Sequence, residues 1–434
     1  MIDTIAALAS GRPPAALAVI RLSGPAAFAA VAALAGRLPP PRRLSLCRLR
    51  QGEATLDEAL VAIFPGPASA SGEDLAEFHL HGGTAVVAGV LAALTALHGV
   101  RLAEPGEYTR RAFANGRMNL SQVEGLADLV NAETASQRDQ ALALVGGALG
   151  RLADGWRERC LMLLAEAEAG LDFAEDEADV AERLDEAARH QLLAMADELA
   201  SLIADSARAG RIRDGLSIAV TGPPNVGKSS IVNALSMRDA AIVTPIAGTT
   251  RDAIEVPIDL GGIAAQLIDT AGLRDTDDPV EAEGIARARR RAASADLVIS
   301  MASADAPEWP SPAADGPAHL LLFNKCDIAS PPLPAGALAV SATTGAGLPA
   351  LRDWLGNWAR SVTRLGEPAL LSHARHRAAF ADAEAALRNA AHAPEPVLRA
   401  ESLRTAAHAF GRIAGRIGID DVLDRIFSRF CIGK

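Results

Sequence analysis

Leu216-Ser-Ile-Ala-Val-Thr221 runs directly into Gly222-Pro-Pro-Asn-Val-Gly-Lys-Ser-Ser230 and then Ile231-Val-Asn-Ala-Leu235. A short buried-type apolar run, a glycine-bounded turn and a helical pattern, in that order, predict strand, loop and helix. The N–H groups of such a loop and of the helix start converge on one centre and attract phosphate oxygens. In this reading Asn225, Val226, Gly227, Lys228, Ser229 and Ser230 form a phosphate site. Lys228 reaches the outer phosphates, and the Ser229 hydroxyl goes to magnesium.

Working outward, Asp269-Thr270-Ala271-Gly272 lies 41 residues beyond Lys228, after the apolar run AAQLI. Its aspartate can stand behind the magnesium, and the Gly272 N–H can meet the terminal phosphate. Asn324-Lys325-Cys326-Asp327 follows the run HLLLF (319–323). A carboxylate at 327 can accept from both guanine N1–H and its exocyclic amine, a pair of donors that adenine does not present. Ser341-Ala342-Thr343, 14 residues past Asp327, completes the base pocket. With a further strand at 297–301 and helical text between, these elements predict a doubly wound parallel sheet that binds guanine nucleotide. Ordinary glycine turns would leave four motifs in the right order on the right elements unexplained.

Hydrolysis needs a residue that orients water. In Ras-like proteins a glutamine follows the DxxG glycine, but here Leu273 stands there and has no hydrogen-bonding group. Asp275, Asp277, Asp278, Glu281 and Glu283 in the following loop are the candidates, and a merely solvated acidic loop is the alternative.

The remaining chain sets the context. At 434 residues it is long enough for about three domains. Its 42 Lys+Arg against 53 Asp+Glu give a net charge of −11, and 50% of it is hydrophobic. That composition excludes a disordered chain and one that coats nucleic acid by bulk charge, so any RNA is expected to be held locally. Residues 1–119 read as a small α+β domain, with strands at 15–23 and 60–64 and helical spacing at 85–98. Ser121-Gln-Val-Glu124 has the form of a capping box, after which Ala-, Leu-, Glu- and Arg-rich text runs helical to about 210. Similar text resumes near 368. The expected division is therefore 1–119, a helical domain of 120–212 and 366–434, and an inserted α/β domain of 213–365. The acidic stretch 172–186 reads as a solvated helix face. Cys47, Cys160, Cys326 and Cys431 have no metal or disulfide spacing, which fits a reducing compartment. The longest apolar run, 85–97, is too short to span a membrane, and the N-terminus has no export pattern, so a cytoplasmic location is expected.

The chain resembles the MnmE (TrmE) family of tRNA modification GTPases. The resemblance rests on GPPNVGKSS, on Ile242-Val-Thr-Pro-Ile-Ala-Gly-Thr-Thr-Arg-Asp252, on DTAGLR and on the terminal Phe430-Cys-Ile-Gly-Lys434. In the first domain it rests on RLSG (21–24), GEDLAE (72–77), HGG (81–83), PGEYTRRAF (105–113) and Asn115-Gly116. It implies a folate-binding-like, dimerising α+β N-terminal domain, an all-α helical domain and an inserted Ras-like P-loop G domain. It also implies homodimers that pair through their G domains, with potassium held at Asn225, Thr244, Ile246 and Thr249. Such a cation can neutralise charge between the β- and γ-phosphates, where other GTPases insert an arginine. Thr250 would join Ser229 on magnesium, and Glu281 would orient water through a bridging water.

A tetrahydrofolate derivative, 5-formyl or 5,10-methylene, would be bound by Arg21, Glu77, Arg117 and Lys434. Cations there suit the folate's glutamyl carboxylates, and Glu77 suits its pterin amino groups. The family commonly has Lys at the position of Arg117, and the alternative for Arg21 and Glu77 is a surface ion pair. Cys431 is either catalytic or a buried inert thiol. Gly415-Arg-Ile-Gly418 reads as a tight helix contact rather than an RNA clamp, and the basic clusters 208–213 and 287–291 as solvated helix faces, with contact to tRNA as the alternative. The implied activity modifies C5 of the wobble uridine of certain tRNAs with a carboxymethylaminomethyl-type group. An FAD-dependent partner protein would complete the assembly as a heterotetramer. A regulatory GTP switch in RNA or ribosome assembly is the alternative, favoured by the nucleotide motifs alone.

Overall fold

Alternation of side chains organises the amino-terminal part of the molecule. The computed structural model describes residues 3–173, 178–236, 255–269, 295–307, 309, 317–329, 331–364, 369–415 and 433. Strands Thr4–Leu8 (β1), Leu17–Ser23 (β2), Ser45–Gln51 (β3), Ala54–Phe64 (β4), Leu75–His81 (β5) and Val100–Leu102 (β6) form one sheet of order β3-β4-β5-β2-β1-β6. β2 buries Ala18, Ile20 and Leu22 on one face and turns Val19 and Arg21 to the other. Helices Ala27–Ala35 (α1) and Thr84–Thr95 (α2) cover the buried face, where Val31, Val90 and Leu94 join Ile20, Phe78 and Leu80 in one core. The apolar run 60–64 is only the inner end of β4. Its outer half carries Asp57 and Glu58 and so hides in the sequence.

Helices Glu107–Ala114 (α3), Leu120–Val130 (α4), Ala135–Val145 (α5), Ala148–Phe173 (α6) and Ala178–Asp214 (α7) follow. The capping box expected at Ser121 and Glu124 lies two residues earlier. Asn119 Oδ1 accepts from the Gln122 N–H at 2.9 Å, and Gln122 Oε1 accepts from the Asn119 N–H at 2.9 Å. Ser121 is fully buried inside the first turn and donates to Asn119 Oδ1, so it is a neighbour of the cap rather than the cap itself.

The second sheet consists of Leu216–Thr221 (β7), Glu255–Asp259 (β8), Ala264–Asp269 (β9), Leu297–Ser303 (β10), Ala318–Asn324 (β11) and Leu338–Ala339 (β12), in the order β12-β11-β10-β7-β9-β8. All neighbours are parallel except β8, which pairs antiparallel with β9 across the Gly261-Gly262 turn. β8 is the outermost strand, which is why Pro257, lacking an N–H, is tolerated in it. Helices Lys228–Ser236 (α8) and Leu348–Thr363 (α9) pack on the sheet through Ile231, Leu235, Leu351 and Leu355 against Ile218, Leu267, Ile299 and Leu322. The chain ends through Ala374–His392 (α10) and Pro396–Ile413 (α11).

Packing divides the chain into two compact units. One comprises Met1–Ala127, Leu144–Asp172 and Ala400–Lys434, and the other Asp128–Ala143 and Phe173–Arg399. The first contains the first sheet with α6 and α11, where Trp156 stacks on Phe410 at 6.3 Å. The second contains the second sheet with α7 and α10. Among the described residues no helix is long and apolar enough to cross a membrane.

Candidate nucleotide site

β7 ends at Thr221, and the loop to Lys228 folds tightly over the ends of its neighbouring strands. Asn225 adopts φ +62°, a left-handed conformation that asparagine accepts better than most residues. Gly227, at φ +91°, comes so close to β11 that a Cβ would lie 2.3 Å from Asn324 Nδ2. That approach is used: Asn324 Nδ2 donates to the Val226 carbonyl at 2.8 Å, while Asn324 Oδ1 accepts from the Ala342 N–H at 3.2 Å. A single buried amide therefore ties the loop 222–230, the 324–327 motif and the 341–343 motif into one site.

Lys228 folds back over its own loop, donating to the carbonyls of Gly222 at 2.8 Å and Pro223 at 2.9 Å. Burial lowers its pKa from the ordinary lysine value, and the nearby Asp269 carboxylate opposes that shift. Ser229 Oγ donates to Asp269 Oδ2. The hydroxyl and carboxylate expected at one magnesium are thus in contact, and an all-oxygen pair of this kind suits that hard cation. Ser230 is exposed beside Ser229.

In the base pocket Asp327 is exposed, with its carboxylate available to a ligand. Lys325, in a left-handed conformation at φ +61°, pairs with Asp305. Ser341 is buried; its N–H donates to the Ala346 carbonyl at 2.9 Å and its Oγ accepts from the Thr344 N–H at 3.1 Å. Asp305 escaped the sequence reading because it belongs to no spaced motif. Thr244, Ile246, Thr249, Thr250, Thr270, Ala271, Gly272, Glu281, Cys431 and Lys434 lie outside the described residues, as does the basic cluster 287–291.

On the first sheet Arg21 and Glu77 face each other in register across β2 and β5. Arg21 donates to Glu77 Oε1 through Nε at 3.1 Å and Nη2 at 2.9 Å, and His79 Nε2 stands 3.3 Å from Glu77 Oε2. The pair is partly exposed, at 29% and 18%, so a ligand could still compete for either charge. The guanidinium lies 6.0 Å from the centre of the Tyr108 ring. Arg117 is exposed, and its Cγ is 3.2 Å from where a Cβ on Gly72 would stand. These residues fit the acidic and basic recognition that a folate would require, with Arg117 set apart from the Arg21–Glu77 pair in its contacts.

Sequence reading missed Arg111, which is fully buried. Nη1 donates to the Asp3 carbonyl at 2.9 Å and to Glu73 Oε2 at 3.1 Å; Nη2 donates to Asp3 Oδ1 at 2.9 Å and to Glu107 Oε1 at 3.0 Å. Arg101 closes the network on Glu107 and Asp3. The Glu107/Arg111 spacing of one helical turn was the available signal. The cluster 208–213 is likewise not a solvated face. Arg208 pairs with Asp205 and donates to the Thr363 carbonyl at 3.2 Å, Arg211 pairs with Asp296 at 2.8 Å, and Arg213 pairs with Asp128 at 3.0 Å. Their charges are engaged within the chain because each has a carboxylate within reach: Asp205 on α7 itself, Asp296 just before β10 and Asp128 on α4.

Comparison with known proteins adds to this geometry. The family model described as GTP-binding protein TrmE N-terminus matches residues 4–117, and that of the MnmE helical domain matches residues 120–431. The tRNA modification GTPase MnmE of Methylorubrum populi is 51% identical over 100% of this chain and 98% of its own. The proteins of the same name from Rhodospirillum rubrum and Rhodopseudomonas palustris are 50% and 47% identical, each over 100% of this chain and 99% or more of their own.

Proposed function

The chain belongs to the MnmE family of tRNA modification GTPases, and from that premise we propose that it is a GTP hydrolase that takes part in tRNA modification. The observation that carries this reading is Asn324, whose amide joins the phosphate loop to both base-pocket motifs. Backbone N–H groups of 225–230 and the Lys228 ammonium hold the phosphates. Ser229 and Thr250, with Asp269, would hold magnesium, which when bound would offset phosphate charge. Asn324, Lys325, Asp327, Ser341 and Ala342 select guanine, and Thr270, Ala271 and Gly272 are the remaining GTP-binding residues.

Potassium at Asn225, Thr244, Ile246 and Thr249 supplies the positive charge that an arginine finger supplies elsewhere. Asn225, already in a left-handed conformation at the loop apex, offers a side-chain oxygen for it. Pairing of two G domains completes that ion site, and Glu281 orients the attacking water. The homodimer works with an FAD-dependent partner and a tetrahydrofolate derivative on C5 of the wobble uridine. Arg21, Glu77, Arg117 and Lys434 bind the folate, and Cys431 of the terminal motif is the candidate reactive thiol. The division into 1–119, 120–212 with 366–434, and 213–365 belongs to the same reading, as does a cytoplasmic location.

Steady-state GTP hydrolysis in potassium and in sodium at matched ionic strength, over a range of protein concentrations, tests it. A rate per molecule that rises with potassium and with concentration, and that Glu281→Ala abolishes, is the expected result. Indifference to both would withdraw the ion-dependent pairing and the role of Glu281.

A further inference from the structure

The amino-terminal half of α5 grips the base of the second sheet with its own polar groups. Gln137 Oε1 accepts from the N–H groups of Glu133 at 3.0 Å and Thr134 at 3.1 Å, closing the first turn of the helix. The amide of the same side chain donates to the Arg213 carbonyl at 3.0 Å, where α7 gives way to β7. One turn further on, Gln140 Nε2 donates to two carbonyls, Ala209 of α7 at 3.1 Å and Ala369 at 2.8 Å. Ala369 lies on the segment that returns from α9 toward α10. Just before the first glutamine, the Ser136 N–H donates to the Gly262 carbonyl of the β8–β9 turn at 3.1 Å.

These contacts meet at the end of the sheet away from the nucleotide motifs. β9 begins beside the Gly262 turn and ends at Asp269, which touches Ser229. Its length, at about 3.3 Å per residue, spans about 20 Å. An apolar side chain at 137 or 140 would fill the same space, whereas a planar amide fixes the direction of each carbonyl it holds. A polar cleft of about 160 Å³ opens beside both amides, lined with them by Asp128, Asn131, Arg213 and Asp214.

We infer that Gln137 and Gln140 are positioning residues that couple movement at the nucleotide site, carried along β9 to the Gly262 turn, to the α7–α10 helix pair. The inference rests on the proposed function, a GTP hydrolase that takes part in tRNA modification. The two glutamines act on the transmission of the nucleotide state and not on phosphate cleavage.

The test uses the full chain with Gln137→Leu and Gln140→Leu combined, which keeps volume and removes the donors. A second variant, Ser136→Pro, removes one N–H in the first helical turn, where proline is tolerated. Four quantities are measured: GTP hydrolysis, wobble-uridine modification per GTP hydrolysed, melting temperature, and amide hydrogen exchange over 135–145 and 205–213 with GDP or a non-hydrolysable GTP analogue. The expected result is hydrolysis within about twofold of the parent, modification per GTP lowered about tenfold, and loss of the nucleotide-dependent exchange difference. Unchanged modification per GTP with an intact exchange difference overturns the inference. So does a parallel fall in hydrolysis and thermal stability, which marks a purely structural role. A parent protein that hydrolyses GTP yet leaves tRNA unmodified would instead overturn the proposed function, and the exchange difference would still decide the coupling.

Discussion

Asp327 and Asn324 stand three residues apart and do different kinds of work. Asp327 is exposed and keeps its carboxylate for a ligand, while Asn324 is 2% exposed and spends its amide on Val226 and Ala342. Asp327→Asn should exchange a double acceptor for one acceptor and one donor. GTP would then bind about 10- to 100-fold more weakly, because the guanine amine loses its acceptor, and xanthosine triphosphate, with a carbonyl at C2, would bind more tightly. Competition binding with the two nucleotides measures both changes. The motif spacing made Asp327 legible as the base reader. Asn324's second task was not legible, because Val226 and Ala342 meet it only after three strands have been laid side by side.

At the scale of elements, α7 illustrates how packing reassigns charges. Its last turns read as a basic helix face, yet Arg208 pairs with Asp205 one turn back on the same helix, while Arg211 and Arg213 pair with Asp296 and Asp128 outside it. Asp128, at the end of α4, receives Arg213 on Oδ1 at 3.0 Å and His373 on Oδ2 at 2.8 Å. Burial pushes its carboxyl pKa up, but the His373 hydrogen bond and the hydrogen bond and charge of Arg213 outweigh burial and leave it below the ordinary 3.8. A lowered carboxyl pKa stabilises the fold fully above the ordinary value, and that contribution is lost as pH falls through the lowered one. Asp128→Asn should therefore cost about 1–3 kcal/mol at neutral pH, since it breaks hydrogen bonds to charged partners. The gap from the parent should close below pH 3.8. Denaturant unfolding at neutral and acid pH checks the sign. The shifted capping box belongs to this scale too: Asn119 and Gln122 are as readable a pair as Ser121 and Glu124, and only the helix start distinguishes them.

At the scale of the whole molecule, a residue late in the chain reaches its first strand. Gly433, at φ +103°, lies against β1 so closely that a Cβ would stand 2.2 Å from the Leu8 carbonyl oxygen and 3.0 Å from Ala9 Cα. Only glycine fits that approach and that conformation. Gly433→Val should detach the terminal residues from β1 while leaving the cores of both sheets intact. Carboxypeptidase should then release Lys434 faster than from the parent at an unchanged melting temperature; equal release would mean that the contact does not hold the tail.

The sequence by itself determined the order of strand, loop and helix in the second sheet, the phosphate and base motifs, and the helical character of 120–214 and 374–413. Those features depend on local periodicity and on residue types required at fixed spacing, which a linear text preserves. Tertiary structure alone decided that β8 runs antiparallel at the edge, that Arg111 is buried among Asp3, Glu73 and Glu107, and that Arg21 takes Glu77 as its partner. It also decided that Gly433 rests on β1. Each of these depends on which distant groups approach within a hydrogen bond or a van der Waals contact. That proximity is set by how strands register and helices pack, and no local pattern encodes it.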